Sequence, residues 1–357
     1  MRRTAVFFVA SPLHYLAARR VALDHEPDAR HVLVYYSRVL EPVVRPADWD
    51  ATLYIPWPRF EPLPGLFGRH RRLLENLRRV ADAVGPTDTL VLHSPVFDTE
   101  AINYFLRALP KLTGAASMQA RILPDGLLNV QRYPLSLAKR GAQRLRGLRR
   151  WVSPVLDYWH FSGDRIGSDA PFVDRIYVLA GFPHRYDPAR TVTLAPLVEP
   201  RGAGAGRRAA DGAAPPRALV IGQPLVSFGL MKEADRAATS QEIAQWLAGA
   251  CPGPVDYKAH PREGERHELR EPHYHLLQID EPIESYLARI PYAVVAGCCS
   301  TALFIARQVY GPEVRIAAFG VDRVHFKGAG KRENTLALMR ELSIEVHGTS
   351  CSTANPS

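Results

Sequence analysis

Short apolar runs alternate with helical stretches through the first half of the chain. Residues 5–10, 31–36, 51–55, 89–93 and 120–123 are compact apolar segments and predict strands. Residues 13–25, 68–84 and 99–110 between them predict helices. Strand and helix in strict alternation specify a parallel sheet covered by helices on both faces. The pattern dissolves after residue 196. Glu199 to Pro216 is Gly, Ala, Pro and Arg with almost no large apolar side chain, the composition of a linker.

A second series begins at Arg217. Strands are expected at 217–222, 255–258, 274–277, 293–296 and 314–319, and helices at 239–249, 283–289 and from Thr301 onward. The expected organisation is an N-terminal domain over 1–196, a flexible linker over 197–216, a C-terminal domain over 217–345 and a disordered polar tail over 346–357. Each domain reads as a doubly wound, Rossmann-like α/β unit. The two are expected to face each other across a cleft, because ligands of open α/β sheets bind beyond the carboxyl ends of the strands.

Length and composition agree with that division. A chain of 357 residues is long for one core. No apolar run reaches the roughly 18 residues of a membrane span. The opening Met1-Arg2-Arg3 and the apolar stretch behind it read as a first buried strand rather than a secretory leader, since Ser11-Pro12 and a helical pattern follow. Four cysteines suit neither a disulfide framework nor zinc spacing and fit a reducing, cytoplasmic setting. The net charge of +9 points to an anionic partner. Part of that excess sits in 135–151, where Lys139, Arg140, Arg144, Arg146, Arg149 and Arg150 accompany Leu137, Leu145, Leu148 and Trp151. This segment predicts a basic amphipathic helix for an anionic membrane surface, placing the protein peripherally on the inner face; a solvated helix face is the other reading. No nucleic-acid recognition signature accompanies the charge, so no nucleic-acid partner is expected.

Three groups of residues carry candidate chemistry, and each follows an expected strand. Asp125, with Gly126 allowing a tight turn, is placed to accept the proton of an attacking hydroxyl, or it forms an ordinary Asp-Gly turn. His260, held before Pro261, is placed to donate to the phosphate of a leaving nucleotide, or it is a surface histidine. Ser300 and Thr301 stand where a helix starts, and free N–H groups there make an anion site or a plain cap.

Pro124-Asp125-Gly126, His260-Pro261 and Ser300-Thr301, in this order, resemble the motifs of bacterial GT-B sialyltransferases, the lipooligosaccharide sialyltransferase and polysialyltransferase-like groups. Ala10-Ser11-Pro12-Leu13-His14 is similar to the family's N-terminal loop, and Ile221-Gly222-Gln223-Pro224-Leu225 to the strand that opens its nucleotide domain. Two positions depart from the family pattern: Pro124 replaces an acidic residue, and His14 stands where glutamine is more usual. The resemblance implies the GT-B fold and an inverting, metal-independent transfer from a CMP-activated sugar to a cell-surface glycan or glycolipid, with no cofactor. It makes Asp125 the base and places His260, Ser300 and Thr301 on the CMP phosphate. Glu284 would take the ribose hydroxyls, with Gly222, Lys258 and Pro261 beside the nucleotide. Ser11, His14, Gly126 and His93 would lie on the acceptor side; the segment from His93 to Asp98 also reads as a plain strand end.

Three rivals remain: a Kdo transferase using CMP-Kdo, a GT-B-shaped UDP-sugar epimerase or hydrolase, and a non-enzymatic basic membrane-associated protein. Weaker signals are set aside. Asp48-Trp49-Asp50 has the form of a metal-binding DxD, and His267-Glu268 starts a zinc-protease pattern whose second histidine is replaced by Glu271.

Overall fold

The apolar segment that opens the chain becomes β1 (Arg3–Val9), an interior strand of the first sheet, flanked by two others. The computed structural model describes residues 2–125, 134–164, 166–182, 184–197, 215–260, 262–279, 283–326 and 330–348. Two compact units emerge, residues 1–197 and 198–357.

In the first unit β1 is followed by α1 (Pro12–His25), whose start is set by Ser11 as cap and by proline in the first turn. Next come β2 (Arg30–Tyr35), β3 (Ala51–Tyr54), α2 (Gly68–Val84) and β4 (Thr89–Ser94). The helix expected over 99–110 is two: α3 (Glu100–Asn103) and α4 (Phe105–Thr113), broken at Tyr104. β5 (Ser117–Ile122), α5 (Leu137–Gly147), β6 (Val173–Leu179) and β7 (Thr191–Leu194) complete the unit. The last two strands were not expected. Asp174 and Arg175 interrupt the apolar pattern of β6, and β7 is short and threonine-rich.

In the second unit β8 (Ala218–Ile221), α6 (Glu233–Ala250), β9 (Val255–Lys258), β10 (His275–Leu276), α7 (Ile283–Arg289), β11 (Val294–Gly297), α8 (Thr301–Tyr310), β12 (Arg315–Phe319), α9 (Lys331–Glu341) and β13 (Glu345–His347) follow one another. α9 and β13 were not expected. The edge strand carries regular structure to His347, past the point at which the sequence pattern reads as tail. The linker residues 198–214 and the tail from 349 lie outside the described residues.

The sheets are parallel throughout and share one order. The first has seven strands, β3-β2-β1-β4-β5-β6-β7; the second has six, β10-β9-β8-β11-β12-β13. Numbered within each unit, both begin 3-2-1-4-5-6, the order of dinucleotide-binding sheets. The order reverses between β1 and β4 in one unit and between β8 and β11 in the other. Loops leaving those strands diverge to opposite faces and open a crevice at their carboxyl ends. Each sheet is buried in its own apolar core, Val6, Phe8, Val32 and Leu92 in the first, Val220, Tyr257, Ala296 and Phe319 in the second.

Candidate functional site

In the first unit the loop after β1 is short and directed. The Ser11 Oγ accepts the His14 N–H at 3.3 Å, which fixes the first turn of α1 and turns the His14 ring inward. The Ala10 N–H donates to His14 Nδ1 at 3.4 Å, so the neutral ring carries its proton on Nε2. Nε2 lies 2.9 Å from Asp125 Oδ1. Asp125 reaches that point because β5 ends at Ile122 and the Leu123 N–H donates to the Ser94 carbonyl, tying the exits of β4 and β5 together. Tyr36 lies close enough for burial and then the Asp125 charge to push its phenol well above the usual range. The pair is unequally exposed: the Asp125 side chain is 27% exposed, the His14 side chain 8%. A partly open carboxylate held by a buried imidazole can take a proton from an incoming hydroxyl. The His14–Asp125 pairing was missed by sequence reasoning, which named both residues but not the bond between them. Gly126 lies outside the described residues.

His93 sits elsewhere. It is fully buried in β4, stacked on Phe7 with ring centroids 4.4 Å apart. Its Nε2 is 3.4 Å from Glu26 Oε1, and Glu26 also pairs with Arg3 at 2.9 Å and with Arg121. Arg121 holds Asp174 through two further bonds of 3.0 and 2.9 Å. Of the two readings of this segment, the burial of His93 supports the structural one. Asp48 and Asp50 of the DxD-like segment are also engaged: Asp48 pairs with Arg19 at 3.1 Å and Asp50 accepts the His31 N–H at 2.7 Å.

In the second unit the candidate residues occupy the ends of three adjacent strands, β9, β8 and β11. His260 leaves β9 in a loop organised by Glu263, a residue sequence reasoning missed. The buried Glu263 carboxylate accepts from the His260 N–H at 3.0 Å, from the Tyr257 hydroxyl at 2.6 Å and from the Glu268 N–H. The Arg262 N–H donates to His260 Nδ1 at 3.1 Å, so the neutral ring again presents an Nε2–H donor. Burial lowers the His260 pKa and Glu263 opposes the shift, which favours the neutral imidazole. Lys258 beside it donates to the Ala259 carbonyl at 2.9 Å, and burial lowers its pKa too.

Gly222 follows β8, and its small size is required. A Cβ there would lie 2.4 Å from both Glu263 Oε2 and the Tyr257 hydroxyl. Gln223 crosses the reversal of strand order, its Oε1 accepting the Cys299 N–H at 3.1 Å. Ser300 then caps α8, its Oγ accepting the Ala302 N–H at 3.3 Å, and Thr301 is exposed in the first turn. Hydrogen-bond donors and a helix start lie at one sheet end, where a phosphate is favoured. Glu284 lies at the start of the seven-residue α7; its side chain and all of Pro261 lie outside the described residues. Glu268 anchors the loop after β8 by accepting the Val226 and Ser227 N–H groups at 2.6 and 3.0 Å. Among the described residues, no group of three or more His, Cys, Asp or Glu side chains is placed to hold a metal ion.

Two parallel sheets of this order make a GT-B-like fold. The chain is similar to the alpha/beta-galactoside alpha-2,3-sialyltransferase of Photobacterium phosphoreum with a TM-score of 0.56, 8% identity and coverage of 97% of this chain and 98% of that one, a likeness of fold alone. Lower scores relate it to the calicheamicin glycosyltransferase CalG4 (0.49; 16% identity; 97% and 85% covered) and to MurG of Acinetobacter baumannii (0.47; 10%; 96% and 85%). Residues 182–316 match the model of the alpha-2,8-polysialyltransferase (POLYST) family. That segment contains Gly222, His260, Glu284, Ser300 and Thr301; His14 and Asp125 precede it. No curated protein matches the chain.

Proposed function

We propose that the protein transfers sialic acid, with inversion, from CMP-sialic acid to a cell-surface glycan that itself ends in sialic acid. Asp125 takes the proton of the acceptor hydroxyl as that oxygen bonds to the anomeric carbon. The bond from that carbon to the CMP phosphate oxygen breaks, and its electron pair leaves on CMP. The His260 Nε2–H, the Ser300 and Thr301 hydroxyls and the positive end of the α8 dipole receive the phosphate charge, and no metal takes part. Glu284 takes the ribose hydroxyls. The observation that carries this reading is the convergence of Gly222, His260 and Ser300 on adjacent strand ends within the segment matched to the polysialyltransferase family.

The test uses the full chain with CMP-sialic acid or CMP-Kdo and an oligosialyl acceptor, following chain extension. Sialyl extension that persists in EDTA is expected. Asp125→Ala should lose at least about a hundredfold in turnover and still bind CMP. His260→Ala should lose both turnover and CMP affinity. CMP should raise the unfolding temperature and UDP should not. Stabilisation by UDP alone overturns the donor class, extension with CMP-Kdo alone overturns the sugar, and normal turnover by Asp125→Ala overturns the base.

A further inference from the structure

α5 is turned inside out. A helix lying on a globular core normally buries its apolar stripe and exposes its polar one. Here Gln143 is buried and donates to Asp98 at 3.1 Å, while Lys139 reaches the same carboxylate at 3.4 Å. Arg146 and Arg149 also turn inward to Glu100. The leucines face water instead. Leu137 is 83% exposed and Leu145 69%; Leu148, Trp151 and Val152 in the turn that follows continue the ridge. Positions 137, 141, 144 and 145 share one face of α5 at i, i+4, i+7 and i+8. Gly141 leaves that face low between the leucines.

The cations divide in the same way. Those beneath the helix are paired with Asp98 and Glu100. Arg140, Arg144 and Arg150 are exposed beside the leucines and make no ion pair among the described residues. An exposed apolar ridge is unfavourable in water and marks an interaction surface. Its unpaired cations select the occupant. A second copy placed on this face by a twofold axis would set each arginine group against its own image. An anionic bilayer would take the leucines and Trp151 at the level of the acyl boundary and the guanidinium groups at the headgroups.

We propose that the α5 ridge, Leu137, Leu145, Leu148, Trp151 and Val152 with Arg140, Arg144 and Arg150, docks the protein on an anionic lipid surface. No helix of the described residues is long and apolar enough to cross a membrane, so the ridge supplies a peripheral contact. This inference is independent of the transfer reaction proposed above.

Cosedimentation of the full chain tests it, with vesicles of phosphatidylcholine alone or mixed with phosphatidylglycerol. Binding to the mixed vesicles is expected, weakening as salt is raised. The triple variant Arg140→Gln/Arg144→Gln/Arg150→Gln should bind about a hundredfold more weakly, and Trp151→Ser or Leu145→Ser about tenfold. None of these exposed side chains supports the core, so unfolding temperature and turnover on a soluble acceptor should match the unaltered chain. Equal binding by the variants overturns the proposal, as does failure of the unaltered chain to bind the anionic vesicles. A dimer in light scattering that Leu145→Ser dissolves would instead assign the ridge to a second copy. Loss of vesicle binding with normal turnover separates this surface from the catalytic reading.

Discussion

The Nε2 of His14 stands 2.9 Å from the Oδ1 of Asp125, across a sequence separation of 111 residues. Because Ala10 occupies Nδ1, the ring donates to the carboxylate and orients it. A hydrogen bond to a charged group contributes about 1.5–3 kcal/mol, a factor of roughly ten to a hundred if the orientation is used in the transition state. His14→Leu should therefore lower kcat by that factor and leave the KM for the donor unchanged. His14→Gln retains a side-chain N–H and should keep most of the activity. Steady-state kinetics decide the matter: if His14→Leu matches the unaltered protein, the imidazole has no positioning role.

The protonation state of His260 gives a second prediction. Burial lowers its pKa from the usual 6.5, and the Arg262 N–H holds Nδ1 as an acceptor. Under the proposed function the neutral ring, with its proton on Nε2, is the form that binds the phosphate. CMP affinity should not fall as pH rises through about 6.5, because this ring loses no positive charge there. Calorimetric titration across that range checks it. A steady loss of affinity with rising pH would mean that the imidazolium is the ligand.

Acid should unfold the first unit through Glu26. Burial alone would raise this carboxyl, but contact with His93 and the charges of His93, Arg121 and Arg3 hold it at about 2, below the ordinary 4.5. A carboxylate with a depressed folded pKa contributes stability that is full above the unfolded value and is lost as pH falls from about 4.5 toward 2. The difference corresponds to about 3 kcal/mol. Burial also lowers the His93 pKa, so its protonation favours the unfolded chain below about 6.5 and acts in the same direction. Urea midpoints should therefore fall progressively in acid. Glu26→Gln should lose about 3 kcal/mol at neutral pH and show a flatter acid dependence. An unchanged midpoint in that variant would remove Glu26 from the account.

Much of this was legible along the chain, and the reasons for the rest are physical. The apolar strands β1, β2, β4 and β8 announce themselves because both faces of a central parallel strand are buried. β6 does not, since Asp174 and Arg175 break its pattern and Asp174 is satisfied through Arg121 on the neighbouring strand. His260 and Ser300 could be nominated because each follows a recognisable strand. The His14–Asp125 bond could not, since it depends on the order in which strands from distant segments are laid down. Sequence also showed a basic, leucine-bearing segment over 135–151 but not the partners of its cations: Asp98 and Glu100, more than thirty positions upstream, draw the polar side of α5 inward.

Glu263 was invisible for a related reason: beside the Tyr257 hydroxyl, the donors that meet it are the His260 and Glu268 backbone N–H groups, which no side-chain pattern reveals. It follows His260 by three residues and gathers Tyr257, His260 and Glu268 onto one buried carboxylate, and Gly222 is the position that leaves room for it. Two substitutions should therefore converge on one defect. Glu263→Ala strands buried donors, each costing about 1–3 kcal/mol, and frees the His260 loop. Gly222→Ala drives a methyl group against the same carboxylate and the Tyr257 hydroxyl, forcing both to move. Each variant should weaken CMP binding by about tenfold or more, and the double variant should be little worse than either alone, because both act through the same contact. Binding titrations of the two single variants and the double variant form the cycle. Fully additive losses would show that Gly222 acts on the nucleotide by another route, and unaltered affinity in Glu263→Ala would show that the His260 loop keeps its shape without this carboxylate.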